Sequence, residues 1–201
     1  HIERLQPFTK METGKKKHQG LVSDFNLSDV AAVQEAFDQA RNELSTDGII
    51  TFGLQAINRM FGDQMGGRRG EMLLLTAMPN CYKSGMCLDL MKWMALYNKP
   101  FMRDPTKKPM ILRISFEDPV TKDIGILYKT MKEFETGHLV DMSVVDSAEA
   151  QAYVVGKLEA TGYNVRMVHI DPTDFTCRDL IDFLNDIEAE GYEIHGLFID
   201  Y

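Results

Sequence analysis

From residue 71 onward the chain alternates short apolar runs with longer amphipathic stretches, and no other feature restricts its fold as much. The runs at 71–77, 109–115, 163–170 and 196–201 have strand length. The stretches at 84–97, 118–135, 146–161 and 177–190 have helical length and periodicity. Strands that take turns with helices form βαβ units, so the pattern predicts an α/β fold with a mostly parallel sheet flanked by helices. Within it, Asp118 reads as a helix cap and Pro119 as the first helical residue. No internal repeat or low-complexity segment interrupts the alternation.

Residues 1–27, with the basic run Lys15-Lys16-Lys17, lack sustained periodicity and read as a tail or linker. Beyond them Val30, Val33, Phe37, Ala40 and Leu44 recur at steps of three and four, which puts them on one stripe of a helix. Ser28 is the expected cap and Asp47-Gly48 the expected end. The expected domains are therefore a tail over 1–27, a linker helix over 28–47 and a core over 48–201. With 201 residues, 44 % hydrophobic and 26 % charged, one main domain with a modest appendage is the default. The chain opens on His1 and stops on Tyr201 directly after an apolar run, and is expected to be a fragment truncated there.

Several functional classes are disfavoured by composition. The apolar runs fall far short of the roughly 18 to 20 residues that cross a bilayer, and no signal segment opens the chain, so a cytoplasmic protein without a membrane partner is expected. Three cysteines without C-x-x-C spacing support neither a disulfide framework nor a zinc site. The five histidines are scattered and add no ligand cluster. A net charge of −8 argues against a surface that is basic all over, while leaving room for a local nucleic-acid-binding loop.

In open parallel sheets ligands sit at the carboxyl ends of the strands, and three such ends carry chemistry here. The first apolar run leads into Ala77-Met78-Pro79-Asn80-Cys81-Tyr82-Lys83-Ser84 and then a helix, where backbone N–H groups can cradle phosphate. Lys83 would neutralise phosphate oxygens and Ser84 would ligate Mg²⁺. The second run ends in Ser115-Phe116-Glu117, which leaves a carboxylate at the sheet edge, and the last, Gly196 to Tyr201, ends in Asp200, a Walker B pattern. The P-loop pattern G-x-x-x-x-G-K-S/T asks for glycines where this chain has Ala77 and Tyr82. A tyrosine held at positive φ there would cost about 1 to 3 kcal/mol, which is bearable. At negative φ its Cβ needs only room, and the ring would stack on a nucleotide base or lie on the surface.

These motifs, in this order, resemble the ATPase domain of DnaB-type replicative helicases, members of the RecA-like P-loop superfamily that are common in bacteriophages. "TFGLQAINRMFGDQMGGRRGEMLLLTAMPNCYKSG" is similar to the segment leading into that family's Walker A loop, A-x-P-x-x-G-K-S/T. Ala77, Pro79, Lys83 and Ser84 match it, Asn80 and Cys81 fill the loop, and Tyr82 departs. "ILRISFEDP" resembles the segment whose glutamate, matched by Glu117, is the catalytic carboxylate. "VHIDPTDFTCRDLIDFLNDIEAEGYEIHGLFIDY" is similar to the segment ending in the Walker B strand. The resemblance implies ATP and Mg²⁺ as cofactors, with Mg²⁺ held through Ser84 and Asp200. It implies a homo-oligomer, a hexamer in that family, working on single-stranded DNA with a primase or helicase loader as further partner. A phage-encoded member would act in the host cytoplasm. The helix over 28–47 corresponds to a linker that docks on a neighbouring subunit, the alternative being that it packs on its own domain. The rival readings are a RecA-like recombinase or DNA-repair ATPase, a non-catalytic nucleotide-binding or scaffold protein in which Tyr82 closes the site, and a small-molecule kinase.

Overall fold

A computed structural model of the protein describes residues 26–43, 48–78 and 80–201. The chain divides into two units, residues 1–45 and 46–201. In the first, helix α1 spans Val30–Glu43. Its cap is Asp29 rather than the expected Ser28: the Asp29 carboxylate accepts from the N–H groups of Ala31 and Ala32 at 3.0 and 3.4 Å, while the Ser28 N–H donates to Asn26. A carboxylate one residue closer to the first turn reaches its orphan donors, and it also favours the positive end of the helix dipole. Val30 and Phe37 of the expected stripe are exposed. Leu44 and Asp47, the tail over 1–25 and Pro79 lie outside the described residues.

The second unit is a three-layer α/β structure. Its elements are α2 (Gln55–Met60), α3 (Lys83–Tyr97), β1 (Lys108–Ser115), α4 (Val120–Thr136), α5 (Ser147–Glu159), β2 (Asn164–His169), α6 (Cys177–Ala189) and β3 (Tyr192–Asp200). The strands form one parallel sheet in the order β2-β1-β3. As the central strand, β1 is buried on both faces, which explains its continuous apolar run. Met110, Leu112 and Ile114 pack with Ile187 of α6 on one face, while Ile111 packs with Leu88, Met91 and Met94 of α3 on the other. Each such fully buried side chain contributes roughly 1.5 to 3 kcal/mol.

Two side-chain caps follow from sequence. Asp146 accepts from the Glu149 N–H, and Thr176 with Asp179 forms a reciprocal capping box at α6. The expectation for Asp118 fails. Pro119 itself is the N-cap of α4, with no side-chain cap, and the Asp118 carboxylate instead pairs with Lys122 at 2.6 Å. Pro119 has ψ 143, so the helix begins one residue later than expected and Asp118 stands outside cap position.

A second correction concerns residues 71–77, which do not form a strand. The segment has no ladder pairing among the described residues, and Met72 and Leu74 are 89 % and 78 % exposed. Just before it, Arg69 pairs with Glu193 near the start of β3; just after it, Lys83 reaches Asp200 at the end of β3. An apolar run forms a strand only when a neighbour supplies the hydrogen bonds, and among the described residues none does so for 71–77.

One irregularity in β3 sets the geometry of the site. Met110 pairs with Ile194, but the next residue of β1, Ile111, pairs with Gly196, so His195 is an extra residue in the ladder. Beyond this bulge Gly196, Phe198 and Asp200 lie opposite Ile111, Arg113 and Ser115, on the face covered by α3. Gly196 lets Met94 pack close to the strand there: a Cβ would come within 2.6 Å of the Met94 sulfur and displace it.

Candidate functional site at the carboxyl end of the sheet

Lys83 and Ser84 open α3, directly above the end of β3. The Lys83 Nζ lies 3.4 Å from Asp200 Oδ1 and donates to the Tyr201 carbonyl, and the Ser84 hydroxyl hydrogen-bonds to Asp200. Asp200 is almost fully buried. Burial pushes its carboxyl up, and Ser84, the Arg113 guanidinium and Lys83 more than reverse this, so the group stays below the ordinary aspartate value and ionised. The structure therefore brings together Lys83, Ser84 and Asp200, which are 116 or more residues apart between helix and strand.

The preceding loop has two non-glycine residues in the left-handed region, Asn80 (φ 61) and Tyr82 (φ 60), on either side of Cys81. Asn adopts this conformation readily; for Tyr82 it costs about 1 to 3 kcal/mol. The Tyr82 ring lies back along α3. A Cβ on Gly85 would come within 2.2 Å of it, and the hydroxyl donates to Asp89 Oδ2 at 3.2 Å. Asp89 in turn pairs with the buried Lys92 at 2.5 Å, and Lys92 reaches Thr130 of α4 at 3.0 Å. Tyr82 is the N-cap of α3 and provides no side-chain cap, so the first N–H groups of this helix have no side-chain acceptor there. Ala77, Asn80 and Cys81 are exposed.

Glu117 lies two residues past the end of β1 and is exposed. The ladder continues up to it, since the Phe116 N–H donates to the Asp200 carbonyl at 2.9 Å. Glu117 and Asp200 thus share one edge of the sheet, on adjacent strands.

Three members of the site escaped the reading of the sequence. Arg113, fully buried in β1, donates through Nε to Asp123 of α4 at 2.8 Å, through Nη2 to Asp200 Oδ2 at 3.1 Å and through Nη1 to the Cys87 sulfur at 3.2 Å. Burial pushes the Cys87 thiol above its ordinary value, against the pull of Arg113. A signal was present: an arginine inside the run "MILRIS" has no place in a strand buried on both faces unless acids meet it.

A family model for divergent DnaB-like ATPases matches residues 2–201. The chain belongs to this family. Searches of the curated proteins and of the solved structures return no match. For a divergent DnaB-like ATPase the expected ligands are a nucleotide and Mg²⁺, and the residues present fit both. The uncapped α3 terminus and the Lys83 ammonium suit phosphate. Among the described residues no group of three or more His, Cys, Asp or Glu side chains forms a metal site by itself. Mg²⁺ does not require one, because it is commonly held by one or two carboxylates together with substrate phosphates, and the Ser84–Asp200 pair offers that minimum. No helix among the described residues is long and apolar enough to cross a membrane.

Proposed function

We propose that the protein is the ATP-hydrolysing motor domain of a ring-forming replicative helicase that translocates on single-stranded DNA. The observation that carries this reading is the convergence of Lys83, Ser84 and Asp200 beneath the uncapped terminus of α3. In a RecA-like core over residues 48–201, the loop from Ala77 through Pro79, Asn80, Cys81 and Tyr82 would wrap the phosphates. Lys83 would leave Asp200 for the β- and γ-oxygens, and Ser84 with Asp200 would hold Mg²⁺, which supplies charge neutralisation at the phosphates. Glu117, on the same sheet edge, would orient or deprotonate the attacking water. Helix α1, with Val30 and Phe37 exposed, would serve within the 28–47 linker as the element that docks on a neighbouring subunit of the homo-oligomer, after a tail over 1–27. Tyr82 leaves room for this chemistry, since its ring is held on Gly85 and Asp89.

The test is ATP binding and hydrolysis by the protein with and without Mg²⁺ and single-stranded DNA. Mg²⁺-dependent binding and DNA-stimulated turnover, both lost in Lys83→Ala, are the expected result. Binding without turnover would replace the motor by a nucleotide-binding scaffold, and turnover indifferent to DNA would remove the helicase.

A further inference from the structure

Among the described residues Arg113 is the one fully buried cation of the sheet, and it lies between two buried acids, Asp123 of α4 and Asp200 of β3. It lies on the face of β1 that α3 and α4 cover, between Ile111 and Ser115. A buried ion pair at such a position is not a gain in stability by default, because apolar side chains of similar volume usually serve as well or better. What the guanidinium does that an apolar group would not is hold carboxylates in place. Its planar fork gives Nε to Asp123 and Nη2 to Asp200.

The two oxygens of Asp200 are thereby divided. Oδ2 faces Arg113, and Oδ1 faces Lys83. The two cations differ in what they are free to do. Lys83 is partly exposed, on a flexible stem at the mouth of the site, whereas Arg113 is enclosed and tied to α4 through Asp123. When Lys83 turns to a phosphate, Asp200 still has one fixed partner, and the oxygen left to a Mg²⁺ shell stays oriented.

We propose that Arg113 is a positioning residue of the nucleotide site, fixing Asp200 through Oδ2 so that Oδ1 is presented to the cation that accompanies the nucleotide. This rests on the ATP-site reading above. Hydrogen-bonding partners of a metal-ligating carboxylate typically tune metal affinity by 10- to 100-fold.

The experiment is a Mg²⁺ titration of fluorescent ATP-analogue binding to the full chain, alongside melting curves in metal-free buffer. Arg113→Met is expected to raise the Mg²⁺ concentration for half-maximal binding by about 10-fold, and Arg113→Lys, which restores the charge, to recover part of that loss. Ile187→Val trims the core on the other face of the sheet and is expected to lower the melting temperature while leaving the Mg²⁺ midpoint in place. Should Arg113→Met fail to fold, the double variant Arg113→Met/Asp123→Leu removes the orphaned acid and carries the same expectation. A parental midpoint in Arg113→Met, or in the double variant where the single one does not fold, overturns the proposal. So does an equal midpoint shift in Ile187→Val, which would reduce the effect at Arg113 to lost packing. If the parent protein binds no nucleotide, this proposal and the ATP-site reading fall together; if the parent binds and the Arg113 variants match it, only this proposal falls.

Discussion

The two ends of β3 each hold an arginine against a carboxylate, and they are built for opposite purposes. At the amino end Glu193 accepts from Arg69 and from the backbone N–H groups of Arg103 and Asp104, and Arg69 also bonds the Phe101 carbonyl and His195. Burial pushes Glu193 up, but these donors hold its pKa at about 2. Beside it, burial and the Arg69 charge lower His195 to about 4 and so keep it neutral. Most partners here are backbone groups or are enclosed, and the result is a clasp that pins two loops to the sheet. At the carboxyl end the acid is equally ionised, yet two of its partners, Lys83 and Ser84, belong to a helix terminus without a side-chain cap. In the proposed function those partners exchange Asp200 for phosphate and Mg²⁺. An arginine–carboxylate pair thus marks a site only where some of the surrounding donors are left uncommitted.

Three substitutions would break or sharpen this contrast. The largest effect is expected at the carboxyl edge: Glu117→Gln should keep nucleotide affinity and lose turnover by at least ~100-fold, the lower range for losing a general base. Steady-state ATPase assays with parallel binding measurements separate the two, and unchanged turnover would place the water elsewhere. The second tests the clasp. Arg69→Met leaves Glu193 short of its charged partner, so urea unfolding should show a loss of about 3 kcal/mol, with nucleotide affinity unchanged because β3 separates the two ends. A fall in affinity would mean that the ends communicate. The smallest change is expected for Tyr82→Gly. Relief of the left-handed strain, about 1 kcal/mol or more, is offset by the lost Asp89 hydrogen bond, about 1 kcal/mol, and by greater freedom of the unfolded chain. Stability should move little, and nucleotide binding should persist; a binding activity that appears only in the glycine variant would show that Tyr82 shuts the loop.

The sequence by itself determined the class of fold and the order of its parts. Apolar runs of strand length separated by amphipathic stretches specify a parallel α/β sheet, because such signals depend on near neighbours in the chain. It also placed Lys83, Ser84, Glu117 and Asp200 at the ends of elements. Local signals misled where a partner was needed. The run at 71–77 has strand composition without ladder partners, and Asp118 has cap chemistry one residue too early. Only the tertiary structure decided which way Asp200 turns. Side chains in a strand alternate between faces, so the extra residue at His195 moves every later side chain of β3 to the opposite face, and with it carries Asp200 to Arg113, Lys83 and Ser84. Such a bulge exists only in the pairing of β3 with β1, a relation between residues 84 or 85 positions apart that no local pattern encodes.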